Sequence, residues 1–133
     1  MGHESVLHLI AIRIKSDSLP EVKQAIEKRN VRGFTSISWY FELLMLDEEN
    51  FLCLRAKKDG SDYYVPLDDG SVPADTGKWP DCQKFASWVK QHCEKGGRIV
   101  LHSLEGDGKA WGWEFNGKGK MRDLSFCSVG AWK

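Results

Sequence analysis

The stretch from Pro80 to Arg122 most constrains the fold, because it contains an amphipathic helix followed by two strongly apolar segments. The spacing predicts a helix over Cys82–Lys95, whose apolar residues recur at i, i+3, i+4 and i+7 and therefore share one side. Gly96 and Gly97 are predicted to end it, since glycine readily takes the left-handed conformation at a helix C-terminus. A helix with one apolar side needs an apolar surface to cover.

The hairpin that follows can supply this surface. Strands are predicted over Arg98–Leu104 and Ala110–Asn116, with Glu105–Lys109 as the turn between them. Their apolar residues alternate at period two and so project to one side. These inward positions are Ile99, Leu101, Trp111, Trp113 and Phe115. The pattern favours a helix laid on one face of an antiparallel sheet.

The N-terminal part of the chain is predicted to contain another strand, followed by another helix. The apolar run Val6–Ile14 predicts an interior strand that is covered at least partly on both faces. Ser18 and Glu21 have the spacing of a capping box, in which two side chains bond the exposed N–H groups of a helix start. A helix is therefore predicted over Leu19–Lys28.

The middle of the chain is predicted to be largely strand. Phe34–Leu46 alternates apolar and polar residues and is interpreted as one long strand, with Phe51–Lys57 as its hairpin partner. Asp62–Leu67 is predicted to be a further strand, and its proline favours a sheet edge because proline has no N–H to donate. Asp68–Trp79 is predicted to be a surface loop, and Met121–Val129 is the candidate for a last strand.

Together these elements predict one α+β domain over residues 1–133, with a mostly antiparallel sheet and two helices packed on one face. The order along the chain is β-α-β-β-β-α-β-β, with one further strand as an alternative ending. A chain of 133 residues is long enough to bury a single core.

The charge balance removes the usual basis for nucleic-acid binding. The chain has 19 Lys and Arg against 19 Asp and Glu, whereas affinity for phosphate depends on an accumulated basic surface. The longest apolar runs are too short to span a membrane, and Met1–Ser5 lacks the basic segment of a secretory signal. We therefore expect a cytoplasmic protein that binds neither nucleic acid nor membranes.

The sequence contains no metal, cofactor or nucleophile motif with the required spacing. Its four cysteines lack the close pairs of a zinc site, and reduced thiols without metal are expected at Cys53, Cys82, Cys93 and Cys127. His92 and Cys93 are neighbours on the predicted helix, which turns them about 100° apart and keeps them from meeting. Gly112–Lys118 matches most of a phosphate-binding loop but lacks the following Ser or Thr and the helix.

The sheet face that points away from the helices carries the strongest functional candidates. If Trp39, Leu101 and Trp113 point inward, the alternation places four residues on the opposite face: Tyr40, Glu42, His102 and Glu114. A histidine among carboxylates is suited to acid/base catalysis. The same residues are typical of a solvated sheet face, or of a protein interface to which tyrosine contributes strongly.

Two of the six tryptophans are candidates for exposed contacts, namely Trp79 in the predicted loop and Trp132 near the C-terminus. We expect a small binding module that recognises a protein partner or a small ligand, without a cofactor, through five residues: Tyr40, Glu42, His102, Glu114 and Trp79. The alternative is a small enzyme that uses His102 with Glu42 or Glu114 as acid and base. An enzyme requires a concave pocket around His102, whereas a binding module requires a broad, shallow surface.

Overall fold

The computed structural model describes residues 3–29, 31–33, 38–56, 58–60, 64–67, 79–103, 110–125 and 132. Within these ranges the chain forms three helices and seven strands, arranged in a five-stranded and a two-stranded sheet. In chain order they are β1 (His3–Ile10), α1 (Leu19–Lys28), α2 (Ser38–Leu43), β2 (Leu44–Leu46), β3 (Leu52–Leu54), β4 (Tyr64–Leu67), α3 (Trp79–Val89), β5 (Arg98–Ser103), β6 (Ala110–Phe115) and β7 (Met121–Ser125). The predicted α+β class with a mostly antiparallel sheet is confirmed.

The five-stranded sheet has the order β4-β1-β5-β6-β7, and each neighbouring pair is antiparallel. β5, β6 and β7 follow one another along the chain as a meander, so local hairpin contacts suffice to place them. β1 lies between β4 and β5, which agrees with the interior strand predicted from its apolar run. β4 lies at an edge of this sheet, where Pro66 interrupts no ladder on its outer side.

The predicted strand Val6–Ile14 is interrupted: β1 ends at Ile10, and the backbone bends at Ala11, where φ is 53°. Beyond this bend the chain leaves β5 and runs beside the two-stranded sheet formed by β2 and β3. There the Leu52 N–H donates to the Ile12 carbonyl at 2.7 Å, and the Ile14 N–H donates to the Asn50 carbonyl at 3.0 Å. The segment after the bend therefore ties the two sheets together.

The core lies between one face of the large sheet and the helices. Aromatic side chains join the helices to one another: the Tyr40 and Phe85 rings stack at 4.6 Å, and Phe41 meets Trp88 edge-to-face at 4.9 Å. Fully burying each such side chain stabilises the fold by about 1.5–3 kcal/mol. The buried residues from the large sheet in this cluster are Leu7, Ile99, Leu101, Trp113, Phe115 and Met121.

The prediction of one long strand over Phe34–Leu46 is wrong. Its middle forms α2, its last three residues form β2, and residues 34–37 lie outside the described part of the chain. Tyr40 and Phe41 are consecutive, and both are fully buried. A strand would turn one of the two outward, whereas a helix can direct both into a core that surrounds it. Packing against α3 therefore overrides the local alternation.

The second predicted helix, Cys82–Lys95, is displaced toward the N-terminus. α3 begins at Trp79, which the sequence placed in a loop, and it ends at Val89. The residues that follow pair with the chain after β1: Cys93 forms a bridge with Ile14, and the Lys15 N–H donates to the His92 carbonyl at 2.9 Å. This long-range pairing takes over backbone groups that a longer helix would have used.

The last strand is present as β7, which is the further strand that the sequence allowed. Its predicted continuation to Val129 lies outside the described residues. No helix in the described ranges is both long enough and apolar enough to cross a lipid bilayer.

Candidate functional site on the outer face of the large sheet

The face of the large sheet opposite the core, called the outer face here, follows from the strand register. Residues directly opposite one another on neighbouring antiparallel strands project to the same side. Three rows of such residues cross the sheet: Ile10, Arg98, Glu114 and Arg122 in the first row, His8, Val100, Gly112 and Leu124 in the second, and Val6, His102 and Ala110 in the third.

The first row is a three-residue ion cluster centred on Glu114. The Arg98 Nε and Nη2 atoms donate to Glu114 Oε2 at 2.9 and 2.7 Å. From the other side, the Arg122 Nε donates to Glu114 Oε1 at 2.8 Å, and its Nη2 also contacts that oxygen. Each guanidinium thus forms a paired contact with one carboxylate oxygen, which fixes the planes of both arginine side chains.

Glu114 is buried, with 8% of its surface exposed. Burial tends to raise the pKa of its carboxyl group, but the hydrogen bonds and positive charges of Arg98 and Arg122 outweigh burial and hold the pKa below its ordinary value. Glu114 is therefore ionised at neutral pH. A carboxylate held charged by two arginines is a poor proton donor, so this geometry does not give it the role of an acid.

The Trp132 ring packs against Arg122. The Arg122 guanidinium lies 4.4 Å from the centre of the Trp132 ring, a cation–π contact. These two residues also line a cavity of about 480 Å³ at this end of the outer face, together with Lys95 and Lys118. The prediction that Trp132 is available for exposed contact is consistent with its exposed fraction of 38%.

A histidine pair occupies the other end of the outer face. The His8 Nε2 and His102 Nδ1 atoms are 2.7 Å apart, and the two rings stack with their centres 4.8 Å apart. One ring donates its N–H to the lone pair of the other, which requires at least one neutral imidazole. Both side chains are half-buried. The pair joins β1 to β5 across the middle of the sheet.

The structure separates the residues that the sequence grouped on this face. His102 and Glu114 do share the outer face, but Tyr40 is fully buried in the core and Glu42 is exposed on α2. Because α2 packs through its aromatic residues on the core side of the sheet, Glu42 cannot face His102. Trp79 is the first residue of α3, and its side chain is outside the described part of the chain.

Neither of the carboxylates that the enzyme alternative requires, Glu42 and Glu114, lies beside His102. Glu42 lies on the other layer of the molecule. Glu114 lies two rows away, about 13 Å along the strand direction, and both of its oxygens already accept hydrogen bonds from arginines. The imidazole that His102 contacts, His8, is a partner that the sequence alone did not suggest.

A second polar cluster joins α1 to the chain after α3. The His92 Nδ1 and Ser18 Oγ atoms are 3.1 Å apart, and the His92 Nε2 lies 4.0 Å from Glu21 Oε1. The capping box expected at the start of α1 is not formed, since Ser18 makes no side-chain cap bond. Burial lowers the pKa of His92, while the negative charge of Glu21 opposes this shift in part. His92 is a neutral structural group that links two elements.

The thiols of the described residues are placed for packing and not for nucleophilic chemistry. Cys53 and Cys93 are free thiols, and the Cys82 and Cys93 side chains are fully buried. Burial raises the pKa of Cys93 to about 12, so the reactive thiolate is absent at neutral pH. In the same ranges, no group of three or more His, Cys, Asp or Glu side chains could hold a metal ion.

Arg98 and Arg122, which build the first row with Glu114, were not among the site residues predicted from the sequence. An alternation signal was present for Arg98, because it is four residues before His102 in the same predicted strand. What was missing was the register that brings β7 beside β6. Comparison with known protein families, with curated proteins and with solved structures found no match to this chain. The function must therefore be argued from the site itself.

Proposed function

We propose that this chain is a small binding module that recognises a partner protein through the outer face of β1, β5, β6 and β7. The observation that carries the proposal is the first row, where a buried carboxylate orients Arg98 and Arg122, and Arg122 also contacts the Trp132 ring. Arginine and tryptophan are enriched among the residues that dominate binding energy in protein interfaces. Fixing them beforehand reduces the entropy lost on binding.

The shape of the second row also supports a protein partner. Gly112 has no side chain, and a Cβ at this position would lie 1.9 Å from the Ile99 carbonyl oxygen, so the backbone there excludes any larger residue. Val100 and Leu124 on either side are half-buried. The result is a shallow apolar strip between the ion cluster and the histidine pair, bordered by Ile10, which is 46% exposed.

The proposal extends to location and excludes nucleic acid as the partner. The free thiols of Cys53 and Cys93 suit a reducing compartment, so we assign the module to the cytoplasm. The zero formal net charge argues against a phosphate backbone as the main target. The enzyme alternative, in which His102 acts with Glu42 or Glu114, has less support because neither carboxylate is close to His102.

Site-specific photocrosslinking tests this proposal. A benzophenone amino acid is introduced in place of Ile10 on the outer face or, as a matched control, in place of Lys23, which is exposed on α1. After irradiation in extracts of cells that express the chain, we expect one discrete crosslinked protein from position 10 and none from position 23. Excess unlabelled wild-type chain should suppress the crosslink, whereas a Val100→Asp chain should not. Equal crosslinking from both positions, or none from position 10, would contradict the proposal.

A further inference from the structure

The cavity beside the ion cluster has a strong local excess of positive charge. Lys95, Lys118 and Arg122 line it, and Arg98 lies directly behind Glu114. Among the described residues, these four cations and the one anion leave a local excess of three positive charges, in a chain whose formal net charge is zero. Glu94, the acidic neighbour of Lys95 along the chain, lies 3.5 Å from the Arg13 guanidinium. The local charge is therefore a specific feature of this end of the outer face.

The two lysines stand on turns that are fixed against each other. Lys95 precedes β5, and Lys118 lies in the turn between β6 and β7. A Cβ at Gly117, where φ is 77°, would lie 2.7 Å from the Lys95 backbone nitrogen, so the two turns are in close contact. The Gly96 N–H donates to the Phe115 carbonyl at 3.0 Å, which holds the first turn against β6.

The turn that carries Lys118 is also closed internally. The Asn116 Oδ1 accepts hydrogen bonds from the backbone N–H groups of Lys118 at 2.7 Å and of Lys120 at 3.1 Å. An asparagine that bonds the following backbone in this way stabilises a tight turn. The turns that carry Lys95 and Lys118 at the rim of the cavity are therefore held in place without a ligand.

We infer that this cavity binds the carboxylate groups of an acidic peptide segment in a partner protein. The inference rests on the proposed function, and it names the chemistry that the first row recognises. A volume of about 480 Å³ is large enough for more than one side chain. Its cations are spread over two turns and one strand, which suits several separate carboxylates better than a single compact ion. Arg122, which lines the cavity, already contacts the Glu114 carboxylate through two of its nitrogens, so this end of the face has an arginine oriented by one carboxylate.

Titration with a tetraglutamate peptide, followed by backbone amide NMR signals, tests the inference. We expect the signals of Gly96, Asn116 and Lys118 to shift with a saturable dependence on peptide concentration, and binding to weaken as salt screens the charges. The double variant Lys95→Glu/Lys118→Glu should lower affinity by about tenfold or more, since it replaces attraction with repulsion. Lys58→Glu, at an exposed turn, should leave affinity unchanged.

Other outcomes would overturn the inference. Absence of these shifts, or an equal loss of affinity in Lys58→Glu, would show that the cavity is not the site. Inorganic phosphate binding at the same amides more tightly than tetraglutamate would assign the cavity to phosphate instead. All three lysines are exposed, so the variants should fold, and their unfolding midpoints are measured as a check. If tetraglutamate fails to bind while the crosslink from position 10 persists, this inference fails and the proposed function stands. If tetraglutamate binds but position 10 gives no crosslink, the cavity binds carboxylates and the proposed function fails.

Discussion

Glu114 and His92 are both buried titratable side chains, with 8% and 5% of their surfaces exposed, but their polar atoms are satisfied to different degrees. Glu114 accepts hydrogen bonds at both carboxylate oxygens from two arginines. His92 bonds Ser18 through Nδ1, while its buried Nε2 has no hydrogen-bond partner among the described residues. Buried polar groups are usually paired, so the second case is the more unusual one.

The difference shows which of the two groups can contribute to binding a partner. The pKa of each is lowered, but for opposite physical reasons: two arginines favour the charged form of Glu114 in spite of burial, whereas burial disfavours the charged form of His92. Glu114 is therefore a fixed charge that orients Arg122, which lines the cavity. His92 is a neutral group enclosed next to Trp88, with ring centres 5.2 Å apart, and contributes to the core.

The largest expected effect on stability is at Trp88, which packs beside His92. Trp88 is 1% exposed, contacts Phe41 edge-to-face and lies beside His92. Trp88→Ala should lower the free energy of unfolding by about 3–5 kcal/mol, because it removes a large buried ring and leaves a cavity. Chemical denaturation followed by circular dichroism measures this loss. Met45→Ala, at a residue that is 38% exposed, is the control and should change stability little. A near-neutral Trp88→Ala would contradict the packing of α3.

The next effect is expected at the centre of the ion cluster. Glu114→Gln keeps the shape of the side chain but removes its charge and turns an N–H₂ group toward one of the two guanidiniums. We expect a loss of about 2 kcal/mol, less than for a fully buried ion pair, because the side chains of Arg98 and Arg122 are 50% and 30% exposed. Arg98→Ala should cost less than Glu114→Gln, since it removes one partner and leaves Glu114 paired with Arg122. The reverse order would show that the carboxylate is not the centre of the cluster.

The outer face is predicted from the sequence only in part. The face of β5 and β6 follows from period-two alternation, because Ile99, Leu101 and Trp113 are local neighbours in one hairpin. His102 and Glu114 consequently fall on one face in both the prediction and the structure. The ion cluster additionally needs Arg122 opposite Glu114. This depends on the register of β7, which a turn with two glycines, Gly117 and Gly119, leaves undetermined in the sequence.

The remaining differences come from contacts between distant parts of the chain. α2 forms where alternation predicts a strand, because Tyr40 stacks on Phe85, which is 45 residues away in the chain. This displaces Tyr40 and Glu42 from the predicted site. His8 meets His102 because β1 inserts beside β5, across 94 residues. Local periodicity contains no information about such pairings, and strand order in a sheet is not encoded by any single segment.

The titration of His92 provides a test that separates the two buried groups by pH. In the unfolded chain His92 takes up its proton near its ordinary pKa of 6.5, whereas in the folded protein it does so only at lower pH. Stability should therefore be fully present above pH 6.5 and decrease as the pH falls below it, because the unfolded state binds more protons. The contribution of Glu114 is expected to disappear only below its ordinary pKa of 4.5.

The measurement is the free energy of unfolding between pH 7.5 and pH 5, in the wild type and in His92→Gln. The variant should lose the part of the decrease that begins near pH 6.5, and Glu114→Gln should retain it. A wild-type profile that is flat in this interval, or one that rises toward lower pH, would mean that His92 is not held neutral by burial.

The smallest effect is expected at His102, and it tests whether the outer face is separate from the core. His102 is half-buried and bonds His8, but it lies on the side of the sheet opposite Leu101 and Trp113. His102→Ala should cost about 0.5–1 kcal/mol, since a partly exposed hydrogen bond contributes little net free energy. In a double-mutant cycle with His8→Ala, most of this loss should appear as coupling between the two rings, because each removes the same contact. A loss similar to that of Trp88→Ala would place His102 in a second core and leave the outer face without a surface to offer a partner. A small loss of stability that is coupled to His8 would show that the outer face, which carries Glu114, contributes little to the free energy of the core, which includes His92.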